Sequence, residues 1–361
     1  MQLTFYMILF ILARFYIAKP GCTRYNRKDK KIISCMGGFK VKKVLVQFPL
    51  KDEKDKLLFL NTPGDFEYIF CEGEILKKDL ETADIIIGQV SISQINEAKN
   101  LKWIQCTFAG VDYYLKSPDM PKHILLTNST GAFGTSISEY LLTMTLSLYK
   151  KMNLYRDQQK KGIWKDLGAE KSLSGKTVLI IGAGDIGCSF AKLLSAFSVH
   201  TIGIRRVIRE LPPYFGKMYT LDELDSLLPK ADVVALCLPS TSKTRGLMDE
   251  RRLYLMKQDA VLLNVGRGDA IVTDDLIHVL QEGHLLGAGL DVVDPEPLPM
   301  EHPLWDMENV ILTPHISGVS FDHLPETYQK ILAICTENLA RYANGTPLKN
   351  RIDLETGYRK I

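Results

Sequence analysis

Three short segments in the last third of the chain end in side chains suited to acid–base and anion chemistry. Leu262-Leu263-Asn264-Val265-Gly266-Arg267-Gly268 is an apolar run that stops at an arginine between two glycines. The glycines permit a sharp turn that presents the guanidinium at a strand's carboxyl end, the edge where α/β sheets hold ligands. A planar guanidinium there can grip a carboxylate with paired hydrogen bonds and polarise an adjacent carbonyl. Gly289-Leu290-Asp291-Val292-Val293-Asp294-Pro295-Glu296-Pro297-Leu298-Pro299 is a second apolar run, halted by prolines that restrict the backbone around Glu296. Thr313-Pro314-His315-Ile316-Ser317-Gly318 follows a third, placing a histidine at its end.

Glu296 and His315 make chemical sense together. A carboxylate beside an imidazole orients the ring and favours its protonated form. Such a ring donates to a keto oxygen as hydride reaches the carbon; in reverse, its neutral form takes the hydroxyl proton. Arg267 then supplies the carboxylate anchor. An arginine between glycines can be a simple turn, and a lone histidine is usually structural, the reading given to His123, His200, His278, His284 and His323. His302, in Glu301-His302-Pro303-Leu304-Trp305, is the rival acid–base. The joint appearance of the three at strand ends favours the catalytic set.

That chemistry needs a hydride source. Gly182-Ala183-Gly184-Asp185-Ile186-Gly187 follows a β-rich run, 177–181, and opens a helical one, 189–197. In such a turn the first glycine allows the bend, the second lets the backbone approach a pyrophosphate, and the third lets helix and strand pack closely. Amides and helix dipole favour phosphate charge there. A methyltransferase-type glycine loop is the competing use. An acid commonly ends the next strand and binds a ribose hydroxyl. Here Thr201-Ile202-Gly203-Ile204 is followed by Arg205-Arg206. Paired guanidiniums suit a 2′-phosphate, so NADP(H) is expected over NAD(H); the plainer alternative is two solvated charges.

The elements that must carry these residues alternate between β-rich and helical runs. Strands are expected at 43–48, 68–70, 83–88, 103–106 and 124–128, then at 177–181, 201–204, 233–238, 260–264, 288–292 and 310–312. Helical spacing from 136 to 161 predicts a long helix joining two domains, with Gly131 and Gly134 as hinge candidates. Helical spacing returns at 321–342. Alternation of this kind implies an α/β fold with parallel sheets.

Composition agrees with a globular enzyme and excludes other classes. The 361 residues suffice for two domains, and 46% hydrophobic with 24% charged is an ordinary balance. A net charge of +3 argues against nucleic acid as partner. Seven cysteines without a C-x-x-C pair point to reduced thiols and no metal site. Residues 1–38 do not match the rest. Met1–Ala18 is apolar but contains Arg14, which is marginal for a membrane anchor, and the basic stretch follows it, contrary to a secretory signal. The favoured reading makes this an upstream extension outside the fold, with Met36 as the natural start.

Together these motifs resemble the D-isomer-specific 2-hydroxyacid dehydrogenase family, from about Val41 to the last helix. Thr107-Phe108-Ala109-Gly110-Val111-Asp112 resembles the family's substrate loop, and Asn128-Ser129-Thr130-Gly131 through Ser138-Glu139-Tyr140 the lead into its interdomain helix. The resemblance implies two Rossmann/flavodoxin-like domains. A discontinuous substrate domain would take 39–133 and 318–361, and a dinucleotide domain 134–317. It implies amides of Ala109 and Gly110 on the substrate carboxylate, Asp291 at the nicotinamide amide, Leu238, Pro239 and Val265 along the cofactor, and an active site in the interdomain cleft. It implies a cytoplasmic homodimer acting on a small 2-keto or 2-hydroxy acid. Arg205-Arg206 resembles the glyoxylate/hydroxypyruvate reductase subset, which tends to use NADPH. Two other readings remain open: a nucleotide-sensing, corepressor-like binding protein, and a formate or phosphite dehydrogenase on the same scaffold.

Overall fold

The computed structural model describes residues 22–26, 41–208, 210–318 and 324–360. They divide into two compact units, one of residues up to Ala132 with the carboxyl-terminal segment, the other spanning Phe133–Val319.

The first unit is built on a six-stranded sheet of order β1-β3-β2-β4-β5-β6. Its strands are β1 (Cys22–Asn26), β2 (Lys42–Gln47), β3 (Phe66–Cys71), β4 (Ile85–Gly88), β5 (Trp103–Gln105) and β6 (Leu125–Thr127). Strands β2 to β6 are parallel, in the order of a flavodoxin-like sheet. Their side chains are apolar on both faces, as a sheet covered on both sides requires; Ile85, Ile86 and Ile87 are all fully buried. The departure is β1, which pairs antiparallel with β3, Cys22 opposite Cys71. The expectation that residues 1–38 stand wholly outside the fold is corrected for this segment: β3 would otherwise present an unpaired edge, and an extended run covers it. The rest of residues 1–38 lies outside the described residues.

Helix Pro325–Ala343 closes this unit, burying Tyr328, Ile331, Leu332 and Leu339. Each such aliphatic chain contributes about 1.5–3 kcal/mol. A buried polar network ties it to the sheet. Asn338 Nδ2 donates to Gln105 Oε1 at 2.8 Å, Thr127 Oγ1 donates to the same oxygen at 2.7 Å, and Trp103 Nε1 donates to Thr127 Oγ1 at 2.8 Å. A fully satisfied network of this kind fixes register at the strand ends.

The second unit holds a seven-stranded parallel sheet of order β13-β12-β11-β10-β7-β8-β9. The strands are β7 (Thr177–Ile181), β8 (His200–Ile204), β9 (Lys217–Tyr219), β10 (Val233–Leu236), β11 (Val261–Asn264), β12 (Gly287–Leu290) and β13 (Val310–Leu312). This is the doubly wound order of a dinucleotide-binding sheet with one strand added beyond the sixth. Strand β9 is new relative to the sequence reading: Lys-Met-Tyr shows no apolar run, yet it pairs with β8. The long helix expected over 136–161 is two, Gly134–Tyr149 and Met152–Lys160, broken where Lys151 takes a φ of 53°. No helix of the described residues is long and apolar enough to cross a membrane.

Candidate active site

The glycine turn lies at the carboxyl end of β7, where the strand order reverses between β7 and β10. Gly182 has a φ of 103°, open to glycine alone in practice, and a Cβ there would strike the Cys237 carbonyl beyond β10. A Cβ on Gly187 would meet Ile180 Cγ2 at 2.9 Å and Gly182 O at 2.5 Å, so helix packs directly on turn. At Gly184 a Cβ would meet nothing within 4 Å. Helix Asp185–Leu194 starts beside that open space with no side-chain cap. The amides of Ile186 and Gly187 in its first turn are placed to meet an anion. These residues fit a dinucleotide's pyrophosphate.

The amides of Gly182 and Ala183 both donate to the Ile204 carbonyl, at 3.0 and 2.9 Å. The end of β8 is thereby tied to the glycine turn, and Arg205 and Arg206 follow immediately. Two thiols are nearby. Burial pushes Cys237 up to about 12 and Cys188 upward as well, so neither is a thiolate nucleophile near neutrality.

Arg267 is presented by a turn that Asn264 ties from both sides. The fully buried Asn264 accepts from Gly266 N at 3.0 Å and donates to Arg267 O at 2.9 Å. Arg267 Nη1 donates to the Gly266 carbonyl at 2.6 Å. Gly266 lies against the loop after β10: its Cβ would be 2.7 Å from Leu238 N. That loop is held by Ser240 donating to Asp269 at 2.6 Å and Thr244 donating to the Pro239 carbonyl at 2.7 Å. Val265 is buried, its amide on Leu236 O at 3.2 Å. Gly268 is forced by close approach, for any Cβ would collide with Val293 and Asp294. The arginine turn and the glutamate turn are therefore in backbone contact.

Glu296 Oε1 accepts from Val293 N at 3.1 Å, which folds the carboxylate back over its own turn. Its Oε2 lies 2.9 Å from His315 Nδ1. The pair is part-exposed, with side-chain accessibilities of 47% for His315 and 36% for Glu296. Nδ1 bonded to a carboxylate, which can only accept, carries a proton and presents Nε2 as the other ring nitrogen. Among the described residues Nε2 makes no hydrogen bond. The rival His302 is instead a cap: its Nδ1 accepts from Leu304 N at 3.3 Å at the start of the Pro303–Trp305 turn.

Asp291, implied at the nicotinamide amide, is buried and bonded through its carboxylate to segment 313–317. The supporting groups Asn264, Asp269, Ser240 and Thr313 were not singled out by the sequence reading. Their signal was a polar residue at the end of an apolar strand or beside a glycine turn.

In the other unit, the loop after β5 is held through its carbonyls. Asn128 Nδ2 donates to Ala109 O at 2.5 Å, and Ser129 N to Phe108 O at 2.9 Å. The amides of Ala109 and Gly110 make no hydrogen bond among the described residues.

The chain is similar to known proteins of one family. A family model for the NAD binding domain of D-isomer specific 2-hydroxyacid dehydrogenase matches residues 142–317. Glyoxylate/hydroxypyruvate reductase B of Enterobacter sp. (strain 638) is 33% identical over 271 residues, 73% of this chain and 82% of that protein. The crystal structure of a D-isomer specific 2-hydroxyacid dehydrogenase family protein from Aeromonas salmonicida matches with a TM-score of 0.75 at 32% identity, covering 87% of this chain and 100% of that one. An NADPH-dependent glyoxylate/hydroxypyruvate reductase from Sinorhizobium meliloti, solved with NADP and sulfate, gives 0.73 at 26% identity, with 88% and 100% covered.

Proposed function

The chain belongs to the D-isomer-specific 2-hydroxyacid dehydrogenase family of NAD(P)-dependent oxidoreductases, and from that premise we propose that it reduces a small 2-keto acid of the glyoxylate or hydroxypyruvate kind with NADPH. The observation that carries this is the 2.9 Å pair of His315 Nδ1 and Glu296 Oε2, which leaves Nε2 open, while the turn bearing Glu296 touches the arginine turn through its backbone. Bound nicotinamide supplies the hydride to the carbonyl carbon. His315 gives the Nε2 proton to the carbonyl oxygen, closing the hydroxyl, and recovers a proton from solvent. Glu296 holds the ring in the Nδ1-protonated orientation. Arg267 binds the substrate carboxylate. In the other unit, the amides of Ala109 and Gly110 are a carboxylate-binding element. Leu238, Pro239 and Val265 line the cofactor.

Arg205 and Arg206, standing where an acid would recognise NAD, support NADPH. The Sinorhizobium reductase, named as NADPH-dependent, gives the same indication. A homodimer is part of the reading. Its support is a surface segment after the Met152–Lys160 helix on which Ile163 and Trp164 are exposed, Trp164 completely. Cys71, Cys106, Cys188, Cys237 and Cys335 are free thiols, which fits a cytoplasmic enzyme.

The test is a turnover assay at 340 nm crossing NADH and NADPH with glyoxylate, hydroxypyruvate, pyruvate and longer 2-keto acids, with formate and phosphite as oxidation arms. The expected result is highest kcat/KM with NADPH and one of the two smallest hydroxyl- or hydrogen-bearing acids. Oxidation of formate or phosphite with no keto acid reduced would overturn it, as would nucleotide binding with no turnover on any arm.

A further inference from the structure

The segment Asn128-Ser129-Thr130, just after β6, grips the loop after β5 by three of that loop's carbonyls. Asn128 Nδ2 donates to Ala109 O at 2.5 Å, Ser129 N to Phe108 O at 2.9 Å and Ser129 Oγ to Cys106 O at 2.8 Å. The holder is itself held, by a residue 222 positions further along the chain. Asn128 N donates to Asn350 O at 3.3 Å, and Asn350 Nδ2 donates back to Asn128 O at 3.2 Å. The same Nδ2 donates to Thr130 O at 2.7 Å, so both of its hydrogens are used. Asn350 Oδ1 accepts from Arg359 Nη1 at 3.1 Å, which fixes the way the amide faces.

Asn350 has a φ of 55°, a left-handed backbone in which asparagine is one of the few residues with a side chain that is commonly found. Both flanks pin it there. Before it, Lys349 N donates to Asn338 Oδ1 at 2.7 Å and Asn338 Nδ2 to Lys349 O at 3.1 Å, on helix Pro325–Ala343. After it, Arg351 bridges Thr127 antiparallel and Ile352 N donates to Leu126 O at 2.8 Å, with the Ile352 side chain buried in the core of this unit. Chain ends are ordinarily loose. This one is tied on either side of Asn350 and turns that residue's amide onto the segment that carries the loop.

We propose that Asn350 is a positioning residue for substrate: acting through Asn128, it places the amides of Ala109 and Gly110 and so sets the affinity for the substrate's carboxylate. This rests on the reading of those amides as the carboxylate-binding element. Asn350→Gly removes the side chain and leaves the left-handed backbone open. At saturating NADPH, KM for the keto acid is expected to rise about 10-fold, the scale of one to two ordinary hydrogen bonds. The turnover number and the NADPH dissociation constant, the latter read by cofactor fluorescence, stay within about twofold, because the acid–base pair and the glycine turn belong to the other unit. A merely structural role would lower Tm and leave KM where it was.

Asn128→Ala, which frees the Ala109 carbonyl directly, raises KM by a similar factor. In the double variant the rise falls short of the product of the two single effects by at least about threefold, since one acts through the other. Should Asn350→Gly unsettle the tail, Asn350→Asp decides. It keeps the shape and the Arg359 partner but sets a carboxylate oxygen against the carbonyls of Asn128 and Thr130, and KM rises at least as far. An unchanged KM in both Asn350 variants, an NADPH dissociation constant that moves in step with KM, or effects that multiply in full would overturn the relay. Failure of the underlying reading looks different: Asn128→Ala alone would leave KM for the keto acid unchanged.

Discussion

The imidazole of His315 has one nitrogen taken by Glu296 and one open, and that asymmetry determines what each replacement does. His315→Ala removes the proposed proton donor and is expected to lower kcat by about two to four orders of magnitude. NADPH affinity stays near normal, because the glycine turn and Arg205-Arg206 lie elsewhere on the sheet edge. Steady-state kinetics with a fluorescence titration checks both halves. Glu296→Gln, which can still accept from Nδ1, should cost less than Glu296→Ala, which releases the ring. At the cofactor end, replacing Arg205 and Arg206 together by alanine removes charged hydrogen bonds worth about 1.5–3 kcal/mol each. KM for NADPH should rise at least 10-fold while KM for NADH barely moves; a parallel rise in both would return the arginines to the status of surface charges. The residues proposed to carry this chemistry drew notice because each stands where an apolar run breaks, and periodicity reveals such breaks. Asp291 was legible as a position but its partners were not. They are 22 and 26 residues and one strand away at Thr313 and Ser317, and hydrogen-bond geometry across a strand end leaves no trace in spacing.

Turn and helix make different use of their glycines, which separates stability from binding at the scale of the element. A Cβ at Gly187 would press on Gly182 O at 2.5 Å and Ile180 Cγ2 at 2.9 Å, so Gly187→Ala must part helix Asp185–Leu194 from β7. Overpacking of this kind costs about 1–3 kcal/mol and should lower Tm by several degrees. Gly184→Ala meets nothing within 4 Å, so its Tm should hold. Its methyl group instead occupies the space where a pyrophosphate would approach the backbone, and NADPH affinity should fall. Thermal unfolding with and without NADPH tells the two apart: the ligand-induced rise in Tm disappears for Gly184→Ala. Strands β7, β10 and β11 were readable from continuous apolar runs, as buried parallel strands demand. Strand β9 was not, for three residues at a sheet edge with Lys217 at their head carry no period. Nor was β1, whose Cys-Thr-Arg-Tyr-Asn lies in a polar stretch and owes its extended form to the edge of β3. The break between the helices at 149 and 152 was hidden because Lys150 and Lys151 continue the helical composition, while the backbone at Lys151 is left-handed.

At the scale of the whole molecule the surface after Lys160 makes the strongest demand. Residues 161–166 are all exposed, yet the segment is well tethered: Lys151 Nζ donates to Leu167 O at 2.6 Å, Leu167 N to Tyr155 OH at 3.2 Å, and Ile163 N to Gln158 O at 3.0 Å. A tethered segment that offers Ile163 and a fully exposed Trp164 to water is costly for one copy of the chain. Tryptophan buries roughly 150–250 Å² when covered and is among the residues that most often dominate an interface. The proposed second copy supplies that cover. Trp164→Glu should then weaken self-association by at least 10-fold, the equivalent of about 1.4 kcal/mol. Sedimentation velocity across a dilution series should show two-copy particles for the native protein and a shift toward one copy for the variant at the same concentration. Circular dichroism should be unchanged, because Trp164 is fully exposed among the described residues. A native protein that sediments as one copy at every concentration would remove the second copy as Trp164's partner, and leave the residue to a contact of another kind.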